Sequence, residues 1–471
     1  MWRVTTFLRR KQNFSAVNVA LRCNSSISTS DALKVLNIQP VAKAPHFTEV
    51  VWGDQHKSVY LNAWLRDHCR CLECLDDATQ QRSFDSLLLM DHKHIRCVDS
   101  EQVPDGKIRI SLDNVTPIID STVNGNFGKT FEAHVCEYTP EWLRSHCNRA
   151  LDTQSKLEKT TRKVWDKDSL NIISANEHRK LGRADPIPHL RHVPSLCYAD
   201  LCSEPDAMRK ALAMYGISFI SGVPLAYDKN AEPDPEKSKI IMENLVRKHL
   251  GYPRETIWGT FWDTGGVLSD LEVADGSVAD TAYTNMGLRP HVDCTYLRDP
   301  PQLQVFLCME PGLEGGSSTF LDGFKAAEDL HAISPEAFNF FSKVNLPFHS
   351  VHDGVKCERY GPVFDIDPRD AHLDTATHFP RLRSFRYNND DRSPLSHLDP
   401  DTLSQFYDFL PLLLKQLRRE DLITKVNLTV GDMVVVDNHR VLHGRTAFRG
   451  GKRNLIGCYA EMDEVNDIRR A

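Results

Sequence analysis

Residues 432–445 run Asp432-Met-Val-Val-Val-Asp437 and then Asn438-His-Arg-Val-Leu-His443-Gly-Arg445, and Arg453-Asn-Leu-Ile-Gly-Cys-Tyr459 follows shortly after. The β-branched run predicts a strand, and the last stretch opens the next one. A histidine on one strand and an arginine on its neighbour, both facing a barrel interior, would hold a metal and a dicarboxylate together. Arginine suits the second task because its planar fork binds a carboxylate bidentately and stays charged. His439 and His443 also have the i, i+4 spacing of a helical zinc site. No glutamate adjoins His439, and the preceding segment reads as strand, so that alternative is set aside.

Working outward, Ile217–Ile220, Leu303–Met309, Ser318–Leu321 and Leu455–Met462 read as further strands. Asp206–Tyr215 fits a helix with Gly216 as its C′ residue, and Pro235–Leu250 fits a second closed by Gly251. Ser334-Pro335-Glu336 starts a third with proline at N1. Leu403, Phe406, Leu410, Leu413, Leu414 and Leu417 keep helical spacing, with Pro411 expected to kink the run. Few strands are separated by regular crossover helices, which excludes a doubly wound parallel sheet and favours a sandwich or barrel.

Residues 46–150 read as short strands and turns, with Lys107–Ser111 alternating polar and apolar, and residues 151–194 as a polar linker before a domain spanning 195–471. No internal repeat is apparent. The 471 residues are 41% hydrophobic and 26% charged, a globular composition with length for two or three domains. A net charge of −7 argues against a protein that coats nucleic acid. No apolar run approaches the roughly 18 residues of a membrane span. The 13 cysteines are an odd number, mostly scattered, which favours a reducing compartment. Residues 1–30 carry Arg3, Arg9, Arg10, Lys11 and Arg22, are serine-rich and contain no acid, the signature of a mitochondrial transit peptide.

Two metal sites are candidates. Cys69-Arg-Cys71-Leu-Glu-Cys74 places three thiols where one tight loop can bring them to a tetrahedral Zn²⁺, with His134 or Cys136 as the fourth ligand. A closed set of four would be structural. His291-Val-Asp293 has the His-x-Asp form, and i and i+2 on a strand share a face. With a distant histidine it would make the facial triad that suits Fe(II) oxygen chemistry. The form is weak by itself: among 20 histidines it recurs at His372/Asp374 and His397/Asp399, both in polar, strand-poor stretches.

Taken together, Trp64-Leu-Arg-Asp-His-Cys69, Asp280-Thr-Ala-Tyr283, His291-x-Asp293, Arg386-Tyr-Asn-Asn389 and Asn438-x-Arg-Val-Leu-His-Gly-Arg445 resemble, in the right order, the carnitine-biosynthesis branch of the Fe(II)/2-oxoglutarate oxygenases, the γ-butyrobetaine hydroxylase family. The resemblance implies a mainly β fold with flanking helices: a small zinc-binding β-domain, then a double-stranded β-helix (jelly-roll) catalytic domain. It implies Cys69, Cys71, Cys74 and His134 as zinc ligands, and His291, Asp293 and His443 as iron ligands. Arg453 and Ser318 would bind 2-oxoglutarate. The chain departs from the family at His439, where tryptophan is usual; that position is not a ligand. O₂ would be the second cosubstrate and ascorbate the reductant.

The family has two kinds of enzyme, acting on N6,N6,N6-trimethyllysine or on γ-butyrobetaine. A quaternary ammonium cannot donate a hydrogen bond, so aromatic faces bind it, at about 0.5–2 kcal/mol per contact. Trp258, Trp262, Tyr283 and Tyr459 read by spacing as ordinary core; by resemblance they match the family's aromatic cage. Asp280 can reach the same cavity from a neighbouring position. There it would pair with an α-ammonium and repel the carboxylate of γ-butyrobetaine. Asn388 and Asn389 would hold the substrate carboxylate. The expectation is 3-hydroxylation of trimethyllysine, the first step of carnitine biosynthesis, in the mitochondrial matrix. The alternative is the last step, on γ-butyrobetaine. The partner expected is this small molecule, with no nucleic acid or membrane, and a homodimer is expected from the family.

Overall fold

Met433–Asp437 forms the strand expected of it, and all five residues are buried, because the sheet around it is covered on both faces. The computed structural model describes residues 29–83, 92–113, 133–146, 162–171, 188–203, 206–264, 282, 284–312, 314–352, 354–450, 453–461 and 463. The expected transit peptide thus lies almost wholly outside the described residues. The chain falls into two compact units, Met1–Lys156 and Leu157–Ala471.

The first unit holds two three-stranded antiparallel sheets. One is Val35–Val41, Ala44–Trp52 and Lys57–Leu61; the other is Arg96–Gln102, Ile108–Asp113 and His134–Tyr138. Ile108, Ile110 and Leu112 are fully buried while Arg109 and Ser111 are not, the alternation read from the sequence.

An internal repeat does exist in this unit, contrary to expectation. His56-x₃-Tyr60-x₃-Trp64-Leu-Arg-x-His68-Cys69 recurs as His134-x₃-Tyr138-x₃-Trp142-Leu-Arg-x-His146-Cys147. Each copy closes a sheet with its third strand and enters a short helix, Asn62–Asp67 or Pro140–Ser145. The copies are reciprocal. The Tyr60 hydroxyl donates to the Leu143 carbonyl at 2.7 Å, and the Tyr138 hydroxyl donates to the Leu65 carbonyl. Trp64 and Trp142 stack at 5.8 Å, and each following histidine ring bonds its own tryptophan carbonyl, at 3.0 and 2.7 Å. The matching residues are too dispersed to show as a periodic pattern, and only the first copy carries the Cys71–Cys74 loop.

In the second unit the larger sheet runs Phe261–Asp263, Arg453–Ala460, Leu303–Pro311, Met433–Asp437, Ile217–Ser221, Ser195–Cys197. Only the last two of these are a parallel pair among the described residues, so no doubly wound sheet forms. The smaller sheet runs Leu288–His291, Val441–Arg445, Ser318–Asp322, Thr424–Val426.

The sheets face each other through Phe219, Phe306, Phe320 and Val434, with Phe219 and Phe320 edge-to-face at 5.4 Å. Leu303, Val305 and Leu307 turn to the outer face and pack on the helices Asp206–Tyr215 and Pro235–His249 through Met208, Leu212, Met242 and Val246. The outer face of the smaller sheet, through Leu321 and Leu442, meets a phenylalanine-rich layer from Gly323–Ile333, Pro335–Lys343 and Pro400–Leu417. Each fully buried leucine or phenylalanine contributes about 1.5–3 kcal/mol. The fold is therefore mainly β with flanking helices.

Gly216 sits at φ +73° after its helix, where a Cβ would meet the Arg440 side chain at 2.9 Å. Ser334 caps its helix by accepting from the Ala337 N–H at 3.2 Å. The stretch read as a linker needs correction in part. Trp165 is 1% exposed, its N–H donates to Asp322 at 3.0 Å and its indole to the Tyr215 carbonyl at 2.7 Å. One large aromatic thus anchors residues 162–171 to the second unit despite their polar composition.

Candidate active site

In the first unit the tight loop Cys69–Cys74 follows a short helix and meets the first residue of the strand His134–Tyr138. The His134 Nε2 lies 3.3, 3.7 and 3.4 Å from the sulfurs of Cys69, Cys71 and Cys74. A tetrahedral Zn²⁺, with Zn–S about 2.3 Å and Zn–N about 2.0 Å, sets sulfur and nitrogen roughly 3.5 Å apart. These four residues fit that ion. Its hydrogen bond with Cys136 and its burial push the Cys69 thiol up to about 11. Burial pushes Cys74 up to about 12, although the Arg66 guanidinium donates to its sulfur at 3.0 Å. A bound cation is what would turn such thiols into thiolates. The cluster draws Cys69 from one repeat and His134 from the other.

In the second unit His291 and His443 are register partners on adjacent strands of the smaller sheet, with ring centroids 4.5 Å apart. Their Nε2 atoms lie 3.3 and 3.5 Å from Asp293 Oδ1. The three side chains converge within 4.8 Å, a spacing a single ion fits. The His291 Nδ1 bonds the Arg289 carbonyl at 2.7 Å, which leaves Nε2 as the nitrogen open to a metal ion. Burial opposes charge on all three groups. The Asp293 carboxylate nevertheless raises His291 to about 9, and the two imidazoles hold Asp293 well below the usual carboxylate range.

The strand argument for His-x-Asp holds only in part. His291 ends its strand and Asp293 lies beyond it, followed by Cys294 at φ +58°. What fixes Asp293 is Asn438, which sequence reasoning gave no role. Its Oδ1 accepts the Asp293 N–H at 2.8 Å, and its Nδ2 donates to the carbonyls of Asp293 and Pro301 at 3.1 and 2.9 Å. Asn438 is fully buried and its amide stands in for a missing strand partner. Arg440 of the same motif is structural too, forming a buried 2.8 Å ion pair with Asp322. The other two His-x-Asp pairs are also structural: Asp399 caps Pro400–Leu417, and Asp374 accepts a backbone N–H in a turn.

His443 and Arg453 do not lie on neighbouring strands, as the sequence suggested. They sit on opposite sheets, because the chain crosses the sandwich between them. Arg453 is 5% exposed and its Nη2 donates to the Ser318 hydroxyl of the facing sheet at 3.1 Å, its Nε to the Gly316 carbonyl at 3.0 Å. Burial pushes its pKa down, and among the described residues no carboxylate pairs with it.

The cleft between the sheets has two lobes with His291 and Asp293 on their border. One lobe holds Arg453, Ser318, His443, Gln304 and Phe306. The other, about 700 Å³ and open to solvent, holds Trp258, Trp262, Tyr459, Tyr296, Asn388, Asp390 and Asp391. Trp258 is oriented by an indole N–H donated to the Tyr296 hydroxyl at 2.8 Å. Trp262 lies over Gly457, where a Cβ would come within 2.1 Å of the ring.

Asn389 is not among the residues lining this lobe; its side-chain oxygen accepts the Tyr387 hydroxyl at 3.1 Å. Asp280 and Tyr283 lie outside the described residues. Ala282 lines both lobes and its carbonyl accepts from Arg445 at 2.7 Å. Tyr296, Asp390 and Asp391 were missed. The aromatic three residues after Asp293 and the acids directly after Asn389 were the signals available.

Residues 194–459, more than half of the chain, match the family described as Taurine catabolism dioxygenase TauD, TfdA family. Residues 41–115 match Gamma-butyrobetaine hydroxylase-like, N-terminal. The mitochondrial trimethyllysine dioxygenase of Homo sapiens is 29% identical over 414 residues, covering 86% of this chain and 81% of that protein. The trimethyllysine dioxygenase of Meyerozyma guilliermondii is 29% identical over 428 residues, covering 88% and 90%. A solved asparagine oxygenase with Fe(II), 3-hydroxyasparagine and succinate gives a TM-score of 0.41 at 14% identity, covering 64% of this chain and 93% of that one.

Proposed function

Because the chain belongs to the TauD, TfdA dioxygenase family and is a 2-oxoglutarate-dependent dioxygenase, we propose that it hydroxylates C3 of N6,N6,N6-trimethyllysine, the first step of carnitine biosynthesis. The observation that carries this reading is the two-lobed cleft: on one side of the triad a buried arginine that no carboxylate pairs among the described residues, aromatic rings and carboxylates on the other. The γ-butyrobetaine alternative is not favoured, since mammalian and yeast relatives matched over 86–88% of the chain are trimethyllysine dioxygenases.

His291, Asp293 and His443 would hold Fe(II). With 2-oxoglutarate and O₂, the metal supplies insertion of one oxygen into a C–H bond, the keto acid leaving as succinate and CO₂. The Arg453 guanidinium and the Ser318 hydroxyl would orient the distal carboxylate of the keto acid. Trp258, Trp262 and Tyr459 would receive the trimethylammonium on their faces, and Asn388 the carboxylate. Asp390 and Asp391 give the same lobe negative charge, which suits a substrate with two cationic groups. Asp280 and Tyr283 keep the substrate roles that their sequence match suggests. A succinate-release assay tests the reading: turnover should be faster with trimethyllysine than with γ-butyrobetaine. A preference for γ-butyrobetaine would overturn it.

The animal relatives are named mitochondrial, which agrees with residues 1–30, and we place the enzyme in the matrix. In the first unit we assign a structural Zn²⁺ to Cys69, Cys71, Cys74 and His134, with ascorbate as the external reductant of the iron. Elemental analysis should find one zinc per chain in the purified protein and none in Cys71→Ser/Cys74→Ser. That variant should also melt at lower temperature, because metal binding and folding are coupled. Zinc-free protein with an unchanged melting temperature would remove the assignment.

A further inference from the structure

We propose that Gln304 and Tyr459 form a clamp that fixes Asp293 as a one-oxygen metal ligand, so that Tyr459 acts through its hydroxyl on the metal site as well as through its ring on the substrate. The proposal rests on the reading of His291, Asp293 and His443 as the iron site. Asp293 turns Oδ1 toward both histidines. Its Oδ2 accepts two hydrogen bonds, one from the Gln304 amide and one from the Tyr459 hydroxyl at 2.8 Å. Both donors come from the opposite sheet.

The register of that sheet builds the clamp. Gln304 and Tyr459 are direct cross-strand partners on Leu303–Pro311 and Arg453–Ala460, as His291 and His443 are on the smaller sheet. Two side-by-side pairs thus face each other across the sandwich with the Asp293 carboxylate between them. The donors are 1% and 4% exposed, so water cannot easily replace either bond. A carboxylate with both lone-pair regions of Oδ2 occupied resists the rotation that would offer both oxygens to the ion. A second oxygen on the metal would take a coordination position that the cosubstrates need. Among the described residues the Gln304 Oε1 has no hydrogen-bond partner, and the Gln304 amide nitrogen donates to Asp293 Oδ2.

The test is an anaerobic Fe(II) titration in the presence of 2-oxoglutarate, read by the visible charge-transfer absorption of the iron–keto-acid complex. Tyr459→Phe keeps the ring and removes the hydroxyl; Gln304→Leu keeps much of the volume and removes the amide. Each should weaken Fe(II) binding about 10–100-fold, the range for groups that orient a metal ligand. Gln304→Glu, which sets a like charge against Asp293, should lose at least as much. In Tyr459→Phe the trimethyllysine KM at saturating iron should change less than the Fe(II) affinity does, since the aromatic face remains and the hydroxyl is lost. The melting temperature of metal-free protein serves as the fold control.

Fe(II) affinity within twofold of wild type in both Tyr459→Phe and Gln304→Leu overturns the clamp. A raised trimethyllysine KM with unchanged Fe(II) affinity overturns it as well, returning Tyr459 to the substrate alone. Wild-type protein that takes up no Fe(II) at all would sink the iron-site reading, and the clamp with it.

Discussion

His443→Ala is expected to abolish substrate-dependent succinate formation, with a loss of well over a hundredfold, while the protein still folds. Groups that merely orient a metal ligand are worth about 10–100-fold, so removal of a ligand must exceed that. Only Asp293 and His291 would remain, and the cross-strand pairing that brings His291 beside position 443 uses backbone, not the imidazole. The fold should survive because the ring fills one position between Phe306 and Phe320 in a sheet whose other residues are unchanged. His439→Ala is the matched control: four residues away, its ring bonds the Pro300 carbonyl at 2.8 Å and faces no metal ligand. Turnover retained in His443→Ala, or lost equally in both variants, would contradict the assigned triad.

Arg453→Met should raise the 2-oxoglutarate KM by about 30-fold or more, from roughly 2–5 kcal/mol for truncating one side of a buried charge pair. The same change should leave the ligand-free protein as stable as wild type or more so. The sign follows from burial: among the described residues the enclosed guanidinium has a hydroxyl and a backbone carbonyl as partners and no carboxylate, so the incoming keto acid would supply its counter-ion. A purely structural arginine would behave in the opposite way, losing stability and leaving the KM unmoved. Thermal shift measures both arms at once. Wild type should gain melting temperature on adding 2-oxoglutarate with a redox-inert divalent metal, and Arg453→Met should not. A normal ligand-induced gain in the variant would remove Arg453 from the cosubstrate site.

Much of the architecture could be read along the chain because its signals are local. Gly216 and Gly251 end their helices where expected, and Ser334-Pro335 starts one, since caps depend on residues only a few positions apart. The alternation of Ile108, Ile110 and Leu112 reports a half-buried strand for the same reason. The candidate zinc and iron ligand sets were nameable because a resemblance of several ordered motifs supplied the distant member of each, His134 and His443, which spacing alone left open.

What needed the tertiary structure was every relation between sheets. Sequence order made His443 and Arg453 look like neighbours, yet the chain crosses from one sheet to the other between them, and they meet only across the cleft. Asn388 and Asn389 are indistinguishable by type, and only packing turns one toward the cleft and the other to Tyr387. Asn438, Gln304 and Tyr459 act on Asp293 from more than ten residues away in sequence, through contacts that register sets and no local pattern announces. Residue types and local spacing thus determined which chemistry this chain could carry. The pairing of strands, a long-range consequence of burying two apolar faces together, decided which of those residues share one carboxylate.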